Sequence, residues 1–222
     1  MERAPAAAGR GLERWAALGG VLYVVLFVIG TIFQFSGSPS GDAAPSKVIA
    51  WYSDSGHRDR LHIGWVLVGL GLFFFLWFLS ALRQALIRLV GEGFLPTLAT
   101  VGGAVYATLA LVAVSVSDAI RTMNDDTYHH QVYPELVHAA NDAAYVLHSA
   151  GGAGIGAMMV AASLAVVRTR ALPVWLGWIG VAAGIIAIAS IFFFPWFVIA
   201  LWLLAASGIL FVAGSPRRTA TP

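Results

Sequence analysis

ALPVWLGWIGVAAGIIAIASIFFFPWFVIALWLLAASGILFVAGSP, residues 171–216, contains no charged residue. Hydrocarbon is the solvent that favours such a run. At a helical rise of about 1.5 Å per residue, a bilayer core of about 30 Å takes about 20 apolar residues. This stretch is about twice that length and is broken near its middle by Phe194-Pro195-Trp196. It reads as two membrane spans joined by a very short turn.

The rest of the chain follows the same pattern. Six apolar segments emerge, at 15–35, 61–82, 96–117, 139–167, 171–194 and 196–213. The fourth is interrupted near its start by Asp142 and His148, but 143–167 holds no acid, Lys or Arg. The expected fold is therefore all-α: a six-span transmembrane bundle filling 15–213, with short tails at 1–14 and 214–222. Composition agrees, since 59% of the 222 residues are hydrophobic and 11% charged, against about a quarter charged in soluble domains. The mean hydropathy is +0.81. With no cysteine, disulfides, thiolate nucleophiles, Cys-ligated zinc and Cys-held iron–sulfur clusters are excluded. Arg3, Arg10 and Arg14 ahead of 15–35 imitate a secretory signal. The run exceeds the usual apolar core of about 7–15 residues and ends in Phe33 and Phe35, so an uncleaved span is expected, with cleavage as the alternative.

Charge sets the expected orientation. Arg3, Arg10, Arg14, Arg83, Arg88, Arg168, Arg170, Arg217 and Arg218 are nine of the thirteen Lys and Arg, and they flank one side of the spans. Lys47, Arg58, Arg60 and Arg121 fall on the other. The positive-inside rule places both termini in the cytoplasm. The sidedness of these bases, and not the net charge of +2, carries the information, and nothing points to nucleic acid. The two long connections are then external. The first, 36–60, contains Pro45-Ser46-Lys47-Val48-Ile49-Ala50-Trp51-Tyr52, suited to a short interfacial helix. The third, 118–137, carries Asp118, Asp125, Asp126, Tyr128, His129, His130, Tyr133 and Glu135. Long loops are where function concentrates.

Two GxxxG pairs, Gly152/Gly156 and Gly180/Gly184, predict close packing of the fourth span on the fifth, because small residues let backbones approach where lipid provides no hydrophobic drive. On the fourth span, His138, Asn141, Asp142, Tyr145, His148 and Ser149 fall within about 120° of one another at about 100° per residue. This polar face is expected to point into the bundle, since charged groups facing lipid are costly. The partners expected for Asp142 are His138, Arg121 or His62, with Asp118 at a similar depth.

Three roles compete for the cluster. It fixes helix register; it holds a divalent metal through His138, Asp142 and His148, with His62 or Asp118 completing the shell; or it lines an outward-facing cavity that binds or passes a solute or senses pH. Haem between His62 and His138 or His148 is a weaker reading. His129-His130 reads as solvated, and Trp51, Tyr52, Tyr128 and Tyr133 as interfacial aromatics, with stacking on a ligand as their alternative role. No GxSxG, Walker-type or dinucleotide motif is present.

Ala50-Trp51-Tyr52, His57-Arg58-Asp59-Arg60, the run Phe75 to Arg83 and Ala171-Leu172-Pro173-Val174-Trp175-Leu176-Gly177-Trp178-Ile179-Gly180 together resemble a group of uncharacterised six-span membrane proteins from high-GC actinobacteria. The resemblance spans about 15–213 and implies a multi-pass protein of a bacterial plasma membrane, but no activity, cofactor or catalytic residue. The His-rich third connection departs from that group and leaves room for a specialised role. The expectation is a non-enzymatic integral membrane protein without a cofactor. It would bind or pass a small or lipidic ligand, or support a partner protein or homo-oligomer. The alternative is a metal-dependent enzyme working at the outer leaflet.

Overall fold

The structure, a computed structural model, describes residues 5–123, 131–191 and 195–213, with side chains from Gly11 onward. Asp125, Asp126, Tyr128, His129, His130, Phe194, Arg3, Arg217, Arg218 and the side chain of Arg10 therefore lie outside the described residues. Those described form helices and no strand. In chain order these are α1 (Pro5–Ala17), α2 (Gly19–Phe35), α3 (Pro45–Ser53), α4 (Ser55–Val90), α5 (Phe94–Met123), α6 (Pro134–Thr169), α7 (Val174–Ile188) and α8 (Trp196–Ala213). A 3-10 turn, Ala189–Ile191, closes α7.

Among the described residues five helical stretches are long and apolar enough to cross a membrane: Gly11–Phe35, α4, α5, α6 and α8. The segment expected at 171–194 is helical over a shorter length, since α7 holds 15 residues. Conversely, α4 and α6 hold 36 residues each, about 54 Å at the helical rise. Both overrun a bilayer core of about 30 Å, and this excess builds the candidate site. Asp54 ends α3 and caps α4, its Oδ1 accepting from the His57 N–H at 3.0 Å. One residue thus serves two helix ends, its backbone N–H donating to the Trp51 carbonyl oxygen of α3 and its carboxylate capping α4. At the far end of α4, Gly91 adopts φ 77°, the left-handed conformation that glycine takes without strain.

The helices pack as a closed ring, α2–α4–α5–α6–α7–α8, with α8 returning to α2 and α1 lying against α4 and α8. Glycines set the spacing, as expected for helices that must associate without hydrophobic drive. A Cβ on Gly156 would lie 2.6 Å from the Gly184 carbonyl oxygen, and one on Gly184 would lie 3.0 Å from that of Gly156. The predicted α6–α7 seam is present. A second seam lies on another face of α6, where a Gly154 Cβ would lie 2.6 Å from the Gly102 carbonyl oxygen of α5. A third joins α2 to α4 at Gly30 and Gly64.

Large side chains fill the middle of the ring: Tyr23, Phe75, Phe78, Tyr106, Ile155, Met158 and Met159 are fully buried. Apolar residues such as Val25, Phe73, Trp77, Leu111, Ile185 and Leu201 are exposed around the outside, the surface that acyl chains cover in a membrane protein. A separate small core sits at one end. There Val48, Trp51 and Tyr52 of α3 pack on Leu61 of α4, Ile120 of α5 and Val137 of α6. The turn-rich segment after α2 thus leads into a packed cap.

Candidate functional site

The cap is held down by its own basic residues. Arg58 donates from Nη1 to the Tyr52 and Ser53 carbonyl oxygens at 3.1 and 2.8 Å. Arg60 donates from Nη2 to the Ser36 carbonyl at 3.2 Å, just beyond α2. The His57 ring stacks on Trp51 with 4.6 Å between centroids. These contacts give the 57–60 stretch a physical role, clamping α3 and the end of α2 onto the first turns of α4.

Between cap and ring lies a cavity of about 200 Å³. Its walls come from Gln34 and Phe35 of α2; Ser38, Pro39 and Gly41 of the following loop; and Val48 and Tyr52 of α3. Leu61 of α4, Ser117 of α5, and Val137, His138, Asn141 and Asp142 of α6 complete them. Polar and apolar residues are mixed, as in sites that both enclose and orient a ligand. The Tyr52 hydroxyl hydrogen-bonds to Asn141, and burial pushes its phenol pKa upward. Gln34, an amide within an otherwise apolar stretch of α2, is buried.

Seven residues drew attention in the sequence, and the fold distributes them unequally. His138, Asn141 and Asp142 line the cavity. Asp118 pairs with Arg121 of its own helix, the guanidinium donating from Nε at 2.9 Å and from Nη2 at 3.3 Å. His62 Nδ1 stands 3.8 Å from the same carboxylate, and its ring stacks on Trp65 at 5.5 Å. Thus Arg121 and His62, expected beside Asp142, belong instead to Asp118. Among the described residues Asp142 has no ion-pair partner within 4.0 Å.

Tyr145 does not line the cavity and is 54% exposed. The α6 face that carries Tyr145 continues the glycine seam, but α7 pairs with it only up to the level where Ser190 Oγ donates to the Ser149 carbonyl at 3.0 Å. Above that point α7 has ended, so the tyrosine has no helix to cover it. His148 lies with the aromatic side chains between α6, α2 and α8. Its ring centre is 5.7 Å from Phe27, which stacks on Trp196 at 5.0 Å.

Depth explains why Asp142 tolerates exposure. Counted back from Val167, about 20 residues of α6 cross a 30 Å core and reach His148. Asp142 is exposed and lies about 9 Å further along the helix, beyond that length of core. The sequence reading that put Asp142 inside a span and required it to be buried is revised accordingly. The same spacing bears on the metal reading. His138 and His148 are about 15 Å apart along the helix axis, whereas metal–nitrogen bonds are about 2 Å long. Among the described residues no group of three or more His, Cys, Asp or Glu side chains could hold a metal ion.

The sequence reading missed Gln34, Ser38 and Ser117 as cavity walls, whereas Tyr52, given ligand stacking as an alternative role, does line the cavity. It also missed a buried pair in the ring, where the hydroxyls of Tyr23 and Tyr106 hydrogen-bond to each other and both residues are wholly buried. A lone amide or phenol inside an apolar run was the available signal. Compared with protein-family models, curated proteins and solved structures, the chain has no match.

Proposed function

We propose that this is a six-span, non-enzymatic protein of a bacterial plasma membrane, with both termini cytoplasmic, whose external cavity binds a small ligand or passes it onward. The observation that carries this reading is the cavity between the α3 cap and the helix ring, walled by Gln34, Tyr52, Ser117, His138, Asn141 and Asp142. These side chains turn amide, hydroxyl, imidazole and carboxylate groups toward one volume, the mixed polar and apolar lining by which a site orients a ligand.

Two arguments support the topology. The 15 residues of α7 rise about 22 Å, and the three of the following 3-10 turn about 6 Å more, close to the thickness of a bilayer core. The bases Arg83, Arg88, Arg168 and Arg170 lie together at the end opposite the cap, the side that the positive-inside rule makes cytoplasmic.

The chain has no native cysteine, which makes the cavity directly testable. Ser117→Cys is expected to react with a small, membrane-impermeant thiol reagent added outside intact cells, whereas Ala110→Cys in the wholly buried core stays unreactive. A Ser117→Cys protein as inert as Ala110→Cys would remove the cavity as a ligand site. Stoichiometric zinc or iron in the purified protein, lost on His138→Ala, would replace this reading with the metal-dependent enzyme.

A further inference from the structure

We infer that the cavity selects ligands bearing an ammonium group, from a free small amine or the amine headgroup of a lipid. This deepens the proposed function and rests on the cavity being the ligand site.

The first argument is the charge balance of the walls. Among the described lining residues Asp142 brings the one carboxylate, and there is neither Lys nor Arg. Nearby cations are engaged elsewhere: Arg121 in its two-point pair with Asp118, Arg58 on the Tyr52 and Ser53 carbonyls, and Arg60 on the Ser36 carbonyl. Lys47 is exposed on α3. The fold thus commits Arg58 and Arg60 to the cap and Arg121 to Asp118, and among the described residues Asp142 is left without an ion-pair partner.

The second argument is the rest of the wall. The side chains of Gln34, Tyr52, Ser117 and Asn141 all carry an oxygen able to accept from N–H, and Phe35 and Tyr52 present aromatic rings, surfaces that attract cations. Among the described lining residues an anion would meet the Asp142 carboxylate, with the His138 imidazole the one basic side chain and no guanidinium or ammonium beside it. The third is the field around the entrance. By sequence the two connections on this side, 36–60 and 118–137, carry seven acids against four bases, a balance that raises the local concentration of cations and repels anions. Size sets a further limit. A cavity of about 150 Å³ accommodates benzene, so about 200 Å³ suits a compact ammonium group with a few carbons and not a whole phospholipid.

Ethanolamine, ethylene glycol and glycolate form a test set of similar size with positive, zero and negative charge. Calorimetric titration of the protein in detergent is expected to show ethanolamine binding at least about tenfold more tightly than either of the others. Asp142→Asn is expected to remove about tenfold or more of that affinity, the scale of a hydrogen bond to a charged group. Glu135→Gln removes the same formal charge from the same face, outside the cavity, and is expected to change affinity less than about twofold. Unfolding temperatures of the variants in detergent confirm that each is folded.

Ethanolamine binding no tighter than ethylene glycol overturns the inference. So do equal losses in the two variants, which would assign the effect to the diffuse field. If Ser117→Cys is accessible while glycol or glycolate binds best, the ligand class fails and the cavity stands. An inert Ser117→Cys ends both. Bilayer nanodiscs then distinguish the sources. Weaker ethanolamine binding in phosphatidylethanolamine than in phosphatidylglycerol identifies a lipid headgroup as occupant, and equal binding identifies a free amine.

Discussion

The Tyr23–Tyr106 pair shows how one hydrogen bond is made necessary by its surroundings. Both phenols are wholly buried, Tyr23 against Phe27 and Phe75, Tyr106 against Phe75, and each ring against the other, so each hydroxyl depends on its partner. Tyr106→Phe is expected to destabilise the protein by about 1–3 kcal/mol, the cost of leaving one buried hydroxyl unpaired. The double variant, Tyr23→Phe with Tyr106→Phe, is expected to recover most of that loss, because both polar groups go together. Denaturation in mild detergent measures both, and a double variant weaker than either single one counts against the pairing. Tyr52 has a pH signature. Burial holds its pKa above the ordinary phenol value and outweighs the Asn141 hydrogen bond, which pulls the other way. Because the folded value is the raised one, its contribution to holding the cap is complete below pH about 10 and is lost as pH rises through the folded pKa. The phenolate titration of wild type minus Tyr52→Phe is expected to have its midpoint above pH 10. A midpoint at or below that value would mean the cap does not bury the ring. The partners of these three tyrosines were not readable in the sequence, because residue type fixes what a side chain needs and not which neighbour meets that need.

Among the elements, α6 is the organiser, since glycines on two of its faces admit two helices. Gly152 and Gly156 face α7, while Gly154 faces α5. Gly154→Ala is expected to cost about 1–3 kcal/mol, the range for overpacking a filled interface, because its Cβ would press on the Gly102 carbonyl and stand 3.0 Å from the Tyr106 nitrogen. Gly69→Ala is the control. Nothing lies within 4 Å of a Cβ there, and the better helix propensity of alanine predicts equal or greater stability. Comparable losses at both positions would show that the seam is not the cause. The α6–α7 seam was legible because GxxxG spacing repeats a small residue on one face. The α5–α6 seam was not, since Gly154 and Gly102 acquire meaning only when two particular helices become neighbours. The lengths of α4 and α6 were likewise understated. Hydropathy ends where polar residues begin, but backbone hydrogen bonding continues past that point, and the extra turns become the walls of the cap.

For the molecule as a whole, sidedness is the property to test. Glu135 lies in the first turn of α6 beside the cap, and Glu92 between α4 and α5 at the opposite end, with its side chain 81% exposed. An impermeant maleimide is expected to label Glu135→Cys on intact cells and Glu92→Cys only after lysis. The reverse pattern would invert the protein and place the cavity in the cytoplasm. Two labelled sites on one side would remove the proposed span count. At this scale the opposite ends of the ring also differ in construction. One end is a packed cap with a cavity beneath it. The other carries Arg83, Arg88, Glu13 and Glu92 in surface ion pairs, contacts worth about 0–1 kcal/mol each and suited to a membrane rim more than to a site.

What the sequence determined by itself is the solvent and the element type. Long uncharged runs must satisfy their backbone inside each segment when surrounded by hydrocarbon, which makes them helices, and the distribution of Arg carries a side preference. The contents of the site were decided by tertiary structure. Asp142 lies with His138 and Asn141 because helical spacing placed them on one face, and that much was readable. That Arg121 and His62 would serve Asp118, that Gln34, Tyr52 and Ser117 would close the walls, and that Tyr145 would be left uncovered all depended on which helices became neighbours and where each one stopped. Periodicity along one helix reports the direction of a side chain, whereas the group it meets is set by packing between segments far apart in the chain.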